Sequence, residues 1–148
     1  MHLTETAALL GMILGTAGFV MSLMNYLRDR PRVVLDLQWD MTNSQTGEIL
    51  GLTQTSNVGR RPVFICVVAL QLPKGFPLTH LVLIDSLHGA KLSEGDKPMT
   101  HIINYQGLSP YSAAWRKIRA YAEDSTGKKY YSDYPKAKAK APSWVKEQ

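Results

Sequence analysis

Three side chains of the kinds that hydrolases use stand close together in the sequence, at Asp85, Ser86 and His88. In a serine hydrolase the hydroxyl attacks, the histidine takes its proton and the carboxylate orients the histidine. The surrounding residues predict a strand, however, and alternation along a strand would send Asp85 and Ser86 to opposite faces. The sequence contains neither a GxSxG elbow nor a glycine-rich phosphate loop. We therefore expect no catalytic residues, no cofactor and no small-molecule substrate.

The histidines and the single cysteine do not form a metal-binding pattern. His2, His80, His88 and His101 include no pair at the helical spacing of a zinc motif, and Cys66 alone cannot supply a thiolate cluster. Cys66 lies in an apolar run, which favours a buried and unreactive thiol. One cysteine also excludes an intrachain disulfide. The sequence predicts no metal site.

Two groups of arginines could bind anions. Arg28, Arg30 and Arg32 follow the apolar N-terminal segment, whereas Arg60 and Arg61 lie in a predicted turn. Guanidinium groups suit phosphate and carboxylate, but an adjacent pair at a loop tip can also be merely solvated. If this turn faces a bilayer, the pair would contact lipid headgroups beside the first group.

Near the C-terminus, lysines alternate with alanines between two prolines, at Lys136, Lys138 and Lys140. No apolar face can form there, so we expect a basic, flexible and solvated tail over residues 135–148. Lysines with aromatic neighbours are typical of nonspecific single-strand binding, and anionic lipid is an equal candidate partner. The formal net charge of +5 allows both partners and requires neither.

Residues 6–27 form an apolar segment without a charge. At about 1.5 Å per residue its length matches the hydrocarbon core of a bilayer, which is roughly 30 Å thick. A cleaved signal peptide would need a basic start and a shorter apolar core, and a buried soluble helix would need a larger protein around it. We predict a transmembrane helix over 6–27, a short lead over 1–5 and a basic linker over 28–32.

The charges that flank this segment predict its orientation. Three arginines lie immediately after it and none before it. The positive-inside rule then places the N-terminus outside and the following domain in the cytoplasm, at the inner membrane if the cell is bacterial. We expect a single-pass protein for which membrane lipid is one partner.

Small or polar residues recur along one side of the predicted helix. Their spacings of 3, 4, 3, 4 and 3 place on one stripe the residues Ala8, Gly11, Gly15, Gly18, Ser22 and Asn25. In lipid, helices associate through close backbone approach and interhelical hydrogen bonds, although glycine is also frequent in membrane helices generally. We interpret the stripe as a helix-association surface, for a second copy of the chain or for another membrane protein.

After Pro31 the period of the apolar residues changes from helical to two, as Val33, Leu35 and Leu37 show. Further strands, separated by turn-forming residues, are predicted over 49–56, 63–72, 81–87, 100–105, 117–123 and 128–132. Residues 112–118 could instead open as a helical turn. Seven short strands in about 100 residues indicate a mainly β domain over 33–134, of the immunoglobulin-like β-sandwich type.

The order of these features is similar to that of a known group of proteins. An Arg-Pro-Arg exit at 30–32 is followed by an Asn-x-Gly-Arg-Arg-Pro-Val turn at 57–63 and by a late hairpin at 123–130. This layout resembles small bacterial and phage membrane-anchored β-sandwich proteins whose functions are uncharacterised. The resemblance implies the fold and brings no activity or site with it.

These features predict one function and leave one main alternative, besides a membrane-associated hydrolase for which only Asp85, Ser86 and His88 would speak. The first is a non-enzymatic interaction or assembly protein that is oligomeric through its glycine-striped helix and presents a β-sandwich to a partner at the membrane. The alternative is a phage or virion component, or a secretion or ejection-complex subunit, whose helix packs into a membrane channel and whose basic tail contacts nucleic acid. We expect the first, because loops and edge strands bind partners without a pocket.

Overall fold

The structure is a computed structural model that describes residues 2–145. Met1 of the predicted lead and residues 146–148 of the predicted tail lie outside the described residues. One long α-helix, α1, spans His2–Arg28. The strands are β1 (Val33–Thr42), β2 (Ile49–Asn57), β3 (Val63–Gln71), β4 (His80–Leu92), β5 (Met99–Ile103), β6 (Arg119–Asp124) and β7 (Lys129–Tyr131).

Helix α1 contains the apolar segment predicted from the sequence, and it begins four residues before the predicted start at residue 6. Its stretch Thr4–Arg28 is long and apolar enough to span a membrane, by length and composition. The most apolar window of this stretch has none of its residues buried by the other residues that the structure describes. An apolar helix that its own domain leaves uncovered needs another apolar surrounding, and a bilayer supplies one.

The strands form two antiparallel sheets, one with the order β1-β2-β5 and one with the order β4-β3-β6-β7. The β1–β2 ladder is interrupted by a bulge between Gln38 and Met41, where Asp40 has a positive φ of 56°. Each of the seven predicted strands is present, so the mainly β architecture is confirmed. β4 is longer than predicted, since it continues to Leu92.

The core lies between the two sheets. One buried cluster consists of Leu35, Val63, Ile65, Val68, Leu92, Ala120, Ala122 and Tyr130. A second cluster consists of Leu70, Leu72, Ile103, Leu108, Tyr111 and Ile118. Each cluster contains residues from both sheets, so the sheets pack face to face. Burial of each large aliphatic side chain stabilises the fold by about 1.5–3 kcal/mol relative to exposure.

The inward face of β2 is unusual because it carries small and polar residues. Gly51, Thr53 and Thr55 are buried and alternate with half-buried residues. A Cβ on Gly51 would lie 3.1 Å from both the Trp39 ring and the Ile103 side chain, so the missing side chain makes room for these two. The hydroxyls of the two threonines have no hydrogen-bond partner among the described residues. The β-branched side chain of threonine favours the strand conformation and packs well on the sheet.

A 3-10 helix at Ser109–Lys117 connects β5 to β6, with a kink at Ala114. Its buried residues are Tyr111 and Trp115. The helical alternative for residues 112–118 is therefore confirmed, and β6 begins at Arg119 rather than at residue 117. The 3-10 helix has a proline in its first turn, and the fixed φ of proline suits the start of a helix.

A buried carboxylate holds the β6–β7 hairpin together. Asp124 accepts hydrogen bonds from the Thr126 N–H at 2.8 Å, the Lys128 N–H at 3.1 Å and the Tyr130 hydroxyl at 2.8 Å. Burial raises the pKa of Asp124, but the hydrogen bonds to its charged form outweigh burial, and the pKa lies below its ordinary value. The ionised carboxylate therefore stabilises the hairpin.

Replacing Asp124 with asparagine should lower the free energy of unfolding by about 2 kcal/mol at neutral pH, because hydrogen bonds to a charged group are lost. A carboxyl whose folded pKa is depressed contributes stability that is complete above its unfolded pKa of about 3.9 and is lost as pH falls through the folded pKa. Chemical denaturation of the full chain in detergent at a series of pH values would measure both effects.

Asp85→Asn, at an exposed carboxyl on β4, is the matched control and should change stability little. If the advantage of the native chain over Asp124→Asn stayed constant down to about pH 2, the carboxylate would not be the source of that stability.

Candidate functional site

The linker that follows α1 lies directly against the turn between β2 and β3. The Val58 N–H donates a hydrogen bond to the Arg32 carbonyl at 2.8 Å. Gly59 is buried, and a Cβ at this position would overlap the Arg30 carbonyl oxygen and the Arg32 amide nitrogen. Only a residue without a side chain allows two backbones to approach so closely. The chain therefore enters the domain in contact with this turn.

Asn57 fixes the shape of the turn. Its side chain is only 5% exposed. The amide oxygen accepts a hydrogen bond from the Gly59 N–H at 2.9 Å, and the amide nitrogen donates to the carbonyls of Arg61 at 2.7 Å and Leu92 at 3.0 Å. An asparagine that bonds to the backbone two residues later is the local signal for such a turn. The buried and satisfied amide makes the turn rigid.

The contact between linker and turn gathers the two predicted arginine groups at one end of the domain. We call this set the basic collar: Arg28, Arg30, Arg32, Arg60 and Arg61. All five side chains are exposed. The Arg30 guanidinium lies 5.2 Å from the ring centroid of Tyr26, the last aromatic residue of α1. The collar thus lies at the end of the domain where the apolar helix joins it.

A shallow groove of about 270 Å³ opens beside the collar, between the linker and the β6–β7 hairpin. Its lining includes Pro31, Arg61, Phe64 and Lys128. The Ser125 N–H donates to the Phe64 carbonyl at 2.9 Å, which ties the hairpin to β3 at this end. The same lining includes the Asp124 carboxylate, which offsets one of the two cations, so the groove carries only a small net positive charge beside the Phe64 ring.

The helix stripe of Ala8, Gly11, Gly15, Gly18, Ser22 and Asn25 is exposed along its whole length. Among residues 2–145, no atom outside the local helix lies within 4 Å of the position that a Cβ would take on Gly11, Gly15 or Gly18. This part of the chain therefore leaves the stripe open to a second helix. Association through this surface stays a prediction.

The basic tail does not extend away from the domain as the sequence predicts. Ser143 donates to the Asp40 carboxylate through its N–H at 2.9 Å and its hydroxyl at 2.6 Å. Trp144 packs against Trp39, with 5.6 Å between the ring centroids, and against Tyr105 at 6.2 Å. These partners are distant in the sequence, so the local lysine-alanine pattern could not reveal them.

The lysines of the tail nevertheless point to solvent. Lys136, Lys138 and Lys140 are exposed. The backbone between them is held because Arg116 donates to the Ala137 carbonyl at 2.5 Å. The tail is thus a strap whose backbone contacts the domain and whose cations remain accessible.

Asp40 is the residue that sequence reasoning missed in this strap. Burial raises its pKa, but hydrogen bonds from Ser143 and Tyr105 and the charge of Lys140 outweigh burial and lower the pKa below its usual value. Its positive φ in the β1 bulge aims the carboxylate at the tail. A positive φ at an aspartate in a strand has no dependable sequence signal.

The residues that resemble a hydrolase set are not brought together by hydrogen bonds. Asp85 and His88 are exposed on β4, and Ser86 is half-buried. Among residues 2–145, no group of three or more His, Cys, Asp or Glu side chains could hold a metal ion. His101 faces inward on β5, and burial lowers its pKa. Cys66 is half-buried rather than fully buried as predicted.

No protein-family model matches this chain, and no curated protein matches it either. The collar, the stripe and the strap are the surfaces from which its function is inferred.

Replacing Gly59 with alanine should break the contact between the linker and the turn, because the new methyl group overlaps backbone atoms that cannot rotate away. The overlap should lower the free energy of unfolding by about 1–3 kcal/mol. Hydrogen exchange of the full chain in detergent should show the Val58 amide exchanging at least about tenfold faster.

Val58→Ala, at the neighbouring residue with a 56% exposed side chain, keeps the backbone contact and is the control. Unchanged protection of the Val58 amide in Gly59→Ala would contradict the close approach.

Proposed function

We propose that this chain is a non-enzymatic, membrane-anchored interaction protein that assembles through its helix and presents its β domain to a partner at the membrane surface. The observation that carries the proposal is the contact of the linker backbone with the buried Gly59. This contact leaves no free length of chain between helix and domain. A domain held in this way suits a fixed place in an assembly, whereas a tethered domain that searches for partners needs a flexible linker.

The basic collar supports a membrane-facing role for this end of the domain. Anionic lipids attract juxtamembrane Lys and Arg residues by about 1 kcal/mol each near the surface. Arg60 and Arg61 add to the arginines of the linker, and the exposed Val58 lies at the tip of the same turn. Lipid headgroups are therefore the partner that we assign to the collar.

The charge distribution supports a cytoplasmic domain. The arginines of the collar all follow the apolar segment 6–27, and Glu5 lies in the first helical turn. The positive-inside rule then favours a single-pass topology with the N-terminus outside, at the inner membrane if the cell is bacterial.

We further propose that the domain is an immunoglobulin-like sandwich. In the constant-type immunoglobulin fold the fourth strand joins the sheet of the first, second and fifth strands. Here the fourth strand pairs with the third, and the remaining strand order agrees. This arrangement leaves β4 as a long edge of the four-stranded sheet, and edges and loops are the surfaces through which such domains bind proteins.

Assembly through the helix is supported by the open stripe. The stripe is continuous over about five helical turns, and none of the three glycines is covered by the part of the chain that the structure describes. Close backbone approach at such a stripe is how helices associate in lipid, where the hydrophobic effect does not drive them together.

Replacing Gly11, Gly15 and Gly18 together with leucine should convert the oligomer to monomers, because the new side chains separate the helix backbones. Native mass spectrometry of the full chain in detergent would measure the subunit number. The thermal unfolding of the β domain should stay unchanged, since no described residue of the domain contacts these glycines.

Ala17→Leu is the control, because it adds side-chain bulk to the same helix at a position outside the stripe. An oligomer that survives the triple substitution, or one that Ala17→Leu disperses equally, would refute assembly through the stripe.

A further inference from the structure

A second basic surface lies at the end of β3 that is farther from the linker. It is an open groove of about 480 Å³ where β3 ends, β6 begins and the tail starts. We call it the Arg119 groove, after the arginine in its lining. Its charged and polar lining residues are Gln71, Lys74, Lys117, Arg119 and Tyr134. None of its lining residues is acidic, so the cations there lack a local counter-charge.

Arg119 is held rigidly in this groove. Its Nε donates to the Gln71 side-chain oxygen at 2.6 Å. Its guanidinium lies 4.0 Å from the ring centroid of Tyr131 and 4.8 Å from that of Tyr134. The two terminal nitrogens donate to no group among the described residues. A guanidinium that is held in place while its two terminal nitrogens remain unpaired is preorganised for a bidentate contact with a phosphate group.

The position of the groove separates it from the basic collar. β3 runs from Val63, beside the collar, to Gln71, at the groove. Eight residue steps at about 3.3 Å put the two ends roughly 26 Å apart. This distance exceeds the Debye length of about 8 Å at physiological salt, so the collar and the groove attract anions independently.

We propose that the Arg119 groove binds a nucleotide phosphate, with its oxygens on the Arg119 guanidinium and on the ammonium groups of Lys74 and Lys117, and with its base on Tyr134. The Tyr134 ring is 51% exposed and offers a stacking surface. A free nucleotide and one nucleotide unit of a single strand present the same chemistry. The site does not depend on the proposed membrane assembly, since it shares no residue with the collar or the stripe.

The neighbouring surface limits the size of the ligand. Tyr134 also lines the groove beneath the strap, where Lys136 and Lys140 are accompanied by Asp36 and Asp133. The two carboxylates offset the two lysines, so the purely cationic surface ends at the Arg119 groove. The contact should therefore involve only a few phosphates.

Fluorescence anisotropy with the full chain in nanodiscs of zwitterionic lipid would test the site. The probes are a labelled thymidine strand of about ten nucleotides, within the usual site sizes, and a fluorescent adenosine mononucleotide. Combining Lys74→Gln with Lys117→Gln should weaken binding roughly tenfold and lower the slope of log K against log salt by about 2. Arg119→Lys keeps the charge but loses the fork, and it should also weaken binding.

Lys91→Gln combined with Lys97→Gln removes the same charge from two exposed positions outside the groove and is the matched control. Equal affinity for both probes would identify a free nucleotide as the ligand, and much tighter binding of the strand would identify single-stranded nucleic acid. The proposal is overturned if neither probe binds saturably, or if the control pair loses as much affinity as the groove pair.

Discussion

The approach of Gly59 to the backbone of the linker is the constraint on which the arrangement of the protein depends. Because no side chain separates the two segments, Arg32 can accept the hydrogen bond from Val58. β1 then begins opposite the end of β2, with Val33 paired to Asn57. The helix consequently joins the domain at the end that carries the β2–β3 turn. The buried Asn57 amide maintains that turn, so one asparagine and one glycine determine where the arginines gather.

The two ends of the domain differ as a result. The end near the helix carries the arginines of the collar and the Asp124 hairpin, and the other end carries the bulge at Asp40, the Arg119 groove and the strap. The strap crosses from β7 to β1, which are edge strands of different sheets. It covers an open side of the sandwich with few apolar residues, chiefly Trp144. Edge strands that are covered in this way are protected from pairing with other chains.

The sequence predicts the regular elements well, for a physical reason. A helix that spans lipid needs about 20 apolar residues without a charge, and a half-buried strand alternates with a period of 2; both signals are visible, in residues 6–27 and 33–39. Turn residues then separate the strands. The inward face of β2 is not visible in this way, because Thr53 and Thr55 are buried where the pattern would place apolar side chains.

The contacts that build the sites could not be predicted from local patterns. The collar needs a contact between residues 30–32 and 58–59, the strap needs Asp40 to meet Ser143, and the groove needs Arg119 to meet Gln71. Each contact joins segments that only the tertiary fold brings together. Sequence reasoning could name the arginines and the tail lysines as candidates, but it placed the tail in solvent and gave Arg119 no role.

Spin-label spectroscopy would show whether the β2–β3 turn faces the lipid headgroups. In a Cys66→Ala background, labels at Val58→Cys and at Thr46→Cys would report on the turn and on the β1–β2 loop at the opposite end of β2. With the full chain in nanodiscs that contain nickel-chelating lipid, the label at 58 should be strongly broadened and the label at 46 should not. Equal broadening at both positions, or stronger broadening at 46, would show that the β2–β3 turn does not face the lipid headgroups.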